Sequence, residues 1–258
     1  MAGESKVVHQ PADWQELENR IRERTPARLL EGRSGASYRT ATLLQLRADH
    51  AAARDAVRAE LNLNAHFSRD FVRRWKLFEV QTEANSKPEY LLRPDLGRTL
   101  GVAARSAVKA QCPQGPDVQI VVGDGLSVSA VAAQVPELLP LLCDGGRERN
   151  WTVGRPFVVR HCRVAIMNHI GELLTPGAVV LLIGERPGLA TAESLSAYLG
   201  YRPRPGHTDA DRNLVSNIHT RGVPVGKAAT RILNLVGQML KERTSGTHLK
   251  EQLNNQQA

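Results

Sequence analysis

Two places in the chain set polar side chains directly behind a run of apolar ones, and both could do chemistry on a small ligand. In one, Val179-Val180-Leu181-Leu182-Ile183 gives way at once to Gly184, Glu185, Arg186, Pro187 and Gly188. In the other, Val118-Gln119-Ile120-Val121-Val122 ends in Gly123-Asp124-Gly125-Leu126-Ser127. A carboxylate beside a guanidinium can bind a polar ligand, serve as an acid or base, or form an ordinary surface ion pair. Ser127 is placed to cap a helix whose amides would face a ligand above the strand. Neither stretch has the spacing Gly-x-Gly-x-x-Gly or Gly-x-x-x-x-Gly-Lys-Ser/Thr, so a dinucleotide or nucleoside-triphosphate site is unsupported. A Gly-x-Ser-x-Gly elbow and a paired catalytic constellation are likewise missing from the sequence.

His161, Cys162 and His169 are the other candidates for chemistry. Their spacing is not that of a familiar zinc motif, and histidines at element ends usually just form hydrogen bonds. The three cysteines, Cys112, Cys143 and Cys162, make no disulfide framework and read as small buried hydrophobes in a reducing compartment.

The whole chain has 258 residues, enough for one or two domains with a sizeable core. Its formal charge is +8, which invites a nucleic-acid reading. The basic residues are scattered among acids, however, and aromatics make up 4%, too few for a stacking platform. An anionic small ligand or an acidic partner subunit explains the same excess. Apolar runs fall far short of the ~20 residues a membrane span needs, and Met-Ala-Gly-Glu-Ser-Lys at the start lacks the apolar core of a secretory signal.

Several elements must position the candidate residues. Asp13-Trp14-Gln15-Glu16 resembles a capping box before a helix with Trp14, Leu17 and Ile21 on one face. Thr25-Pro26 restarts a short helix, Gly32 to Thr40 is a polar loop, and Thr40 caps an alanine-rich helix. A further helix from Ser68 to Trp75 brings Phe67, Phe71 and Trp75 to one side. Leu77 to Thr82 and Glu89 to Arg93 suggest a hairpin around Asn85-Ser86-Lys87-Pro88. From Pro94, strands and helices alternate as in βαβ units.

There, Leu96, Leu100, Ala103, Ala107 and Ala110 form a helical stripe. A helix after Ser127 is expected to break at Pro136, with Asp144-Gly145-Gly146 as a turn, and Phe157 to Arg160 is a strand. A helix runs from Thr191 and Glu193 through Leu195, Tyr198 and Leu199, and a loop spans Arg202 to Asp209. The last helix, through Ile232, Val236 and Leu240, is one that Gly246 can terminate, and the tail to Ala258 is frayed. The expected class is α/β: a helical N-terminal region, 1–76, then a Rossmann-like three-layer domain, 77–258, with a mostly parallel sheet and ligands outside the strands' carboxyl ends.

Taken in order, Arg93-Pro94-Asp95-Leu96-Gly97-Arg98, Asp124-Gly125-Leu126-Ser127, Gly184-Glu185-Arg186-Pro187-Gly188-Leu189, Glu193-Ser194-Leu195-Ser196, and Ala210-Asp211-Arg212 with Ser216-Asn217-Ile218-His219 resemble the small (light) subunit of ethanolamine ammonia-lyase. The resemblance covers roughly Gly32 to Gly246. It implies an adenosylcobalamin-dependent carbon-nitrogen lyase that converts ethanolamine to acetaldehyde and ammonia. In that family, cleavage of the cobalt-carbon bond yields an adenosyl radical that abstracts hydrogen from the substrate. The substrate barrel belongs to a separate large (heavy) subunit, with the cofactor shared at the interface of the hetero-oligomer.

Carried over residue by residue, the resemblance puts cobalamin contacts at Val164, Glu185 and Leu214, with no catalytic residue or metal ligand on this chain. Relatives have cysteine at the position of Leu214, so a contact there would be through the main chain. Glu185 could accept hydrogen bonds from the corrin's amides. The resemblance further implies a cytoplasmic enzyme, in enteric relatives housed in a bacterial microcompartment with the help of an N-terminal extension longer than Met1 to Pro11. The competing reading from the residues alone is a stand-alone phosphate- or nucleotide-binding α/β module.

Overall fold

The computed structural model describes residues 12–25, 29–188 and 190–251. The chain begins with a helix, α1 (Ala12–Arg24), already under way at Asp13, which is therefore inside the helix and not its cap. The short helix expected from Thr25-Pro26 lies outside the described residues, as do Leu189 and the tail from Gln252. The polar segment expected as a loop holds a small hairpin, β1 (Arg33–Ser34) paired with β2 (Ser37–Tyr38). Helix α2 (Thr40–Arg58) follows with Arg39 at its cap position, so Thr40 is its first helical residue. None of its 19 residues is buried among the described residues. Alanine-rich composition gives it helix propensity without a packed face.

The next two helices, α3 (Leu63–His66) and α4 (Arg69–Trp75), fold onto the main body. Ser68 accepts a hydrogen bond from the Phe71 amide at 3.2 Å, capping α4. Phe67 and Trp75 are buried, and the rings of Phe67 and Phe71 stack 5.5 Å apart. The expected hairpin beyond them does not form. Its first arm is β3 (Glu79–Gln81), which pairs in parallel with a later strand, and its second arm is a helix, α5 (Lys87–Leu92). Ser86 caps α5 by accepting from the Glu89 amide at 3.3 Å, and Pro88 sits in the first turn, where its missing N–H costs nothing. What reads as turn chemistry is a helix start.

Helix α6 (Val102–Gln111) begins later than the alanine stripe suggests. It buries Ala104 and Val108, with Ala103 and Ala110 exposed, while Leu96 lies in a separate 3-10 turn. Then come β4 (Val118–Gly123), α7 (Val128–Glu148), β5 (Phe157–Arg160), α8 (Ile166–Leu174) and β6 (Ala178–Gly184). Helix α7 runs unbroken through Pro136 and Pro140 and through the expected Asp144-Gly145-Gly146 turn. Its buried face, with Val131, Val135, Leu138 and Leu142 in the core, holds it together against the lost backbone bonds.

The expected helix at Leu195 is a strand, β7 (Leu195–Tyr201), followed by β8 (Asn213–Ile218). Leu195, Ala197 and Leu199 are buried at a period of two, whereas Leu195, Tyr198 and Leu199 also fit a helical spacing; a short run satisfies both. The final helix, α9 (Val225–Glu242), ends with Arg243 in the left-handed region at φ +57°, not at Gly246, which opens a 3-10 turn.

The six-stranded sheet has the order β3-β5-β4-β6-β7-β8. Its first four strands are parallel and β7 is antiparallel to both neighbours. Helices α7 and α9 cover one face over a core that includes Val122, Leu182, Ile232 and Val236; α6 and α8 cover the other over Val121, Phe157, Leu181 and Ile170. Strand β6 is buried along its whole length, as a central parallel strand with both faces covered must be. The fold is thus mixed α/β, with a helical N-terminal region and a mostly parallel sheet. No helix among the described residues is long and apolar enough to cross a membrane.

A side chain at Gly184 would overlap the Ser127 carbonyl and approach that of Asp124 to 2.8 Å. Gly184→Ala should therefore lower stability by roughly 1–3 kcal/mol, read as a lower urea midpoint. Gly226→Ala, in the first turn of α9 with nothing within 4 Å of the new methyl, should raise it by about 0.5 kcal/mol.

Candidate functional site

Strand β4 passes through α7 to β5 on one side, while its other neighbour, β6, continues away to β7. Adjacent strands whose connections diverge leave a crevice outside their carboxyl ends, the usual ligand position in an open α/β sheet. Here that crevice falls between Gly123-Ser127 and Gly184-Gly188. The two loops meet backbone to backbone: the Leu126 amide donates to the Gly184 carbonyl at 3.1 Å. Gly125 makes this approach with φ +55°, and a Cβ there would strike the same carbonyl.

Below the loops lies a buried polar cluster. The ammonium of Lys87 is 3.4 Å from Asp124 Oδ2 and donates to the Gly125 carbonyl at 3.1 Å. The two side chains are 3% and 1% exposed. Asp124 Oδ1 accepts from the Cys162 amide at 2.8 Å, which ties the end of β4 to the second residue after β5. The Tyr90 hydroxyl lies 3.0 Å from the Gly125 carbonyl and 2.9 Å from that of Cys162, so its single proton is shared between them. Burial, reinforced by the Asp124 charge, pushes the Tyr90 phenol far above its ordinary range, and burial does the same to the Cys162 thiol. Tyr90 is a permanent donor, and Cys162 is not a nucleophile.

Glu185 is held as firmly. Its Oε2 accepts from Ser194 Oγ at 2.7 Å, and its Oε1 accepts from Ser196 Oγ at 2.7 Å and from the Asn217 amide at 2.9 Å. With two lone-pair positions per oxygen, one acceptor position stays open, on Oε2. Ser127 is buried: its hydroxyl accepts from the Ala130 amide at 3.2 Å and donates its proton to the Ala192 carbonyl. It caps α7 as expected, and it also pins the loop that follows Glu185.

Above this floor is an open groove of ≈ 340 Å³. Val164, Glu185 and Leu214 all line it. Val164, Ile183, Tyr198 and Leu214 make an apolar wall; Glu185, Arg186 and Ser216 make a polar rim. Leu214 on β8 stands opposite Tyr198 on β7 and is 42% exposed. Burial raises the Tyr198 phenol above its usual value, so it too enters the groove as a neutral group.

His161, Cys162 and His169 do not converge. His161 Nδ1 is 3.0 Å from the Ala84 carbonyl and its ring stacks on Tyr90, while His169 Nδ1 accepts from the Leu100 amide at 2.9 Å. Burial, followed by the Arg105 charge, lowers the His169 pKa. All three cysteines are free and buried. Among the described residues no three ligating side chains are grouped so as to hold a metal. Lys87, Tyr90 and Tyr198 are parts of the site that the sequence reading passes over. Lys87 and Tyr90 lie in the segment taken for a hairpin, and Tyr198 in the segment taken for a helix.

Removing one partner of a buried ion pair strands the other in low dielectric. Lys87→Met should therefore cost about 3–5 kcal/mol, measured as the loss in unfolding free energy against denaturant.

Over residues 15–250 the chain matches the family described as ethanolamine ammonia-lyase light chain. It is 42% identical over 244 residues to the ethanolamine ammonia-lyase small subunit of Clostridium perfringens, a match covering 95% of this chain and 80% of that one. It is 42% identical over 231 residues to the small subunit from Fusobacterium nucleatum, covering 90% and 76% of the two chains. With the small subunit of Listeria innocua it shares 41% over 244 residues, covering 95% and 81%. The match takes in both strand-end loops, the groove and α2, and the chain belongs to the ethanolamine ammonia-lyase small-subunit family.

Proposed function

We propose that this chain is the small subunit of an adenosylcobalamin-dependent lyase converting ethanolamine to acetaldehyde and ammonia, and that its strand-end groove covers part of the cofactor at the interface with a large catalytic subunit. One observation carries the reading: a member of this family gathers Val164, Glu185 and Leu214 along one groove with an apolar wall and a polar rim. The donor set fits a corrin edge. The wall suits the ring's methyl groups, the open acceptor position on Glu185 suits an amide N–H, and Arg186 and Ser216 can donate to amide carbonyls. A groove of ≈ 340 Å³ lies at the low end of the ~300–1,000 Å³ that hold drug-sized ligands, so a macrocycle would be covered in part and completed by another chain.

When bound, the cofactor supplies the radical that starts the reaction. The residues of this chain bind, orient and exclude water; none is assigned to the substrate. In the same reading, residues 77–258 form the cobalamin-binding domain, residues 1–76 a helical N-terminal domain whose α3 and α4 pack into the main core, and the complex works in the cytoplasm. The alternative of a stand-alone phosphate- or nucleotide-binding module rests on Ser127 at the start of α7 and on the basic charge; the match to the small-subunit family favours the cofactor reading over it.

Co-expression with the large subunit should give acetaldehyde from ethanolamine only with both chains and adenosylcobalamin present. Full turnover by the large subunit alone would overturn the reading. Leu214→Asp, at an exposed position the fold tolerates, should weaken cobalamin binding in equilibrium dialysis by about tenfold without moving the unfolding midpoint. Unchanged affinity would make the groove a bystander.

A further inference from the structure

Beside the groove is a larger cleft, of ≈ 530 Å³, whose charge, Arg186 apart, the reading above leaves unused. One wall is a face of α2: His50, Arg54 and Arg58 follow one another at intervals of four residues and so stand in a row. Arg163 and Arg186, from the loops after β5 and β6, make the other wall. Among the described residues, no aspartate or glutamate lines the cleft. Some arginines elsewhere find carboxylates, as Arg160 does with Glu60 and Glu79 and Arg231 with Glu251. Among the described residues, none of the four cleft arginines has one within ion-pair distance. Arg163 lies with its guanidinium 4.3 Å from the Tyr90 ring centre, and its Nε is buried without a hydrogen-bond partner.

Four guanidiniums facing one space repel one another, and the field they focus there favours an anion. Neutral amides of the kind on a corrin rim do not call for such a concentration. A phosphate does, because its oxygens accept paired N–H bonds from planar guanidiniums. We infer that the cleft between α2 and the strand-end loops is a phosphate subsite, taking a phosphate ester or diester. Arg163, Arg186 and Leu126 line both this cleft and the groove, so one ligand can occupy the two together. Two sources share the chemistry: the phosphodiester in the nucleotide loop of cobalamin, which rests on the function proposed above, and a free phosphoanion, which does not.

The test compares the assembled two-subunit complex carrying wild-type chain with one carrying Arg54→Ala/Arg58→Ala. Both positions are on a helix without buried residues, and alanine favours the helix. Equilibrium dialysis is run with aquacobalamin, with cobinamide (the same corrin without phosphodiester or nucleotide) and with inorganic pyrophosphate. The expected result is cobalamin affinity reduced at least about tenfold with cobinamide affinity unchanged, and the difference shrinking as salt is raised. Pyrophosphate binding lost in the variant, with both corrinoids unaffected, also supports the subsite and identifies a free phosphoanion as its ligand. Equal affinities for all three probes overturn it, as does an equal loss for cobalamin and cobinamide. If the wild-type complex binds neither corrinoid, the cofactor reading fails and pyrophosphate alone decides the subsite.

Discussion

The contact between Lys87 and Asp124 organises the ligand-facing end of the sheet. Taking two charges out of water costs several kcal/mol per ion, and attraction repays that only where the remaining donors and acceptors are satisfied. Here each ion has a second partner: Asp124 also accepts from the Cys162 amide, and Lys87 also donates to the Gly125 carbonyl and lies 4.9 Å from the Tyr90 ring centre. One pair thereby joins α5, the end of β4 and the second residue beyond β5. Tyr90 reinforces the same junction through the carbonyls of Gly125 and Cys162. The left-handed turn at Gly125 and its approach to Gly184 follow from that junction, and the groove stands on it.

Glu185 is a structural latch that the proposed function also makes a ligand contact. Three donors from β7, β8 and their approach fix the carboxylate, so it cannot swing to take part in proton transfer without breaking the strand ends apart. A carboxylate with one acceptor position to spare is what the proposed cofactor contact requires. The same economy runs through the buried thiols and phenols, which burial keeps protonated and unreactive.

Much of this end of the molecule was legible in the residues. Short, largely apolar runs ending in glycine mark β4 and β6, their length and flanking glycines deciding for strand over buried helix, and Ser127 announces the helix after β4. The errors have physical causes. Asn85-Ser86-Lys87-Pro88 holds residues common to turns and to helix starts, and the arbiter, burial of Lys87 against Asp124, is a contact across 37 positions. Leu195 to Leu199 satisfies both periodicities, and pairing with β6 decides for the strand. Pro136 signals a break that tertiary packing overrides. The arginine row on α2 was visible as spacing, but its meaning depends on which loops face it.

The last three strands also bear on the order in which the molecule assembles. β6, β7 and β8 form an antiparallel meander joined by connections of ten and eleven residues (185–194 and 202–212), whereas β3, β4 and β5 pair only after longer helical crossovers close. Closing a short loop costs little chain entropy, and contacts near in sequence form early. Glu185, Tyr198 and Leu214 all belong to this meander and its loops. The greater part of the groove wall is therefore specified by one local stretch of chain, and it can be in register before the parallel half of the sheet arrives to complete it.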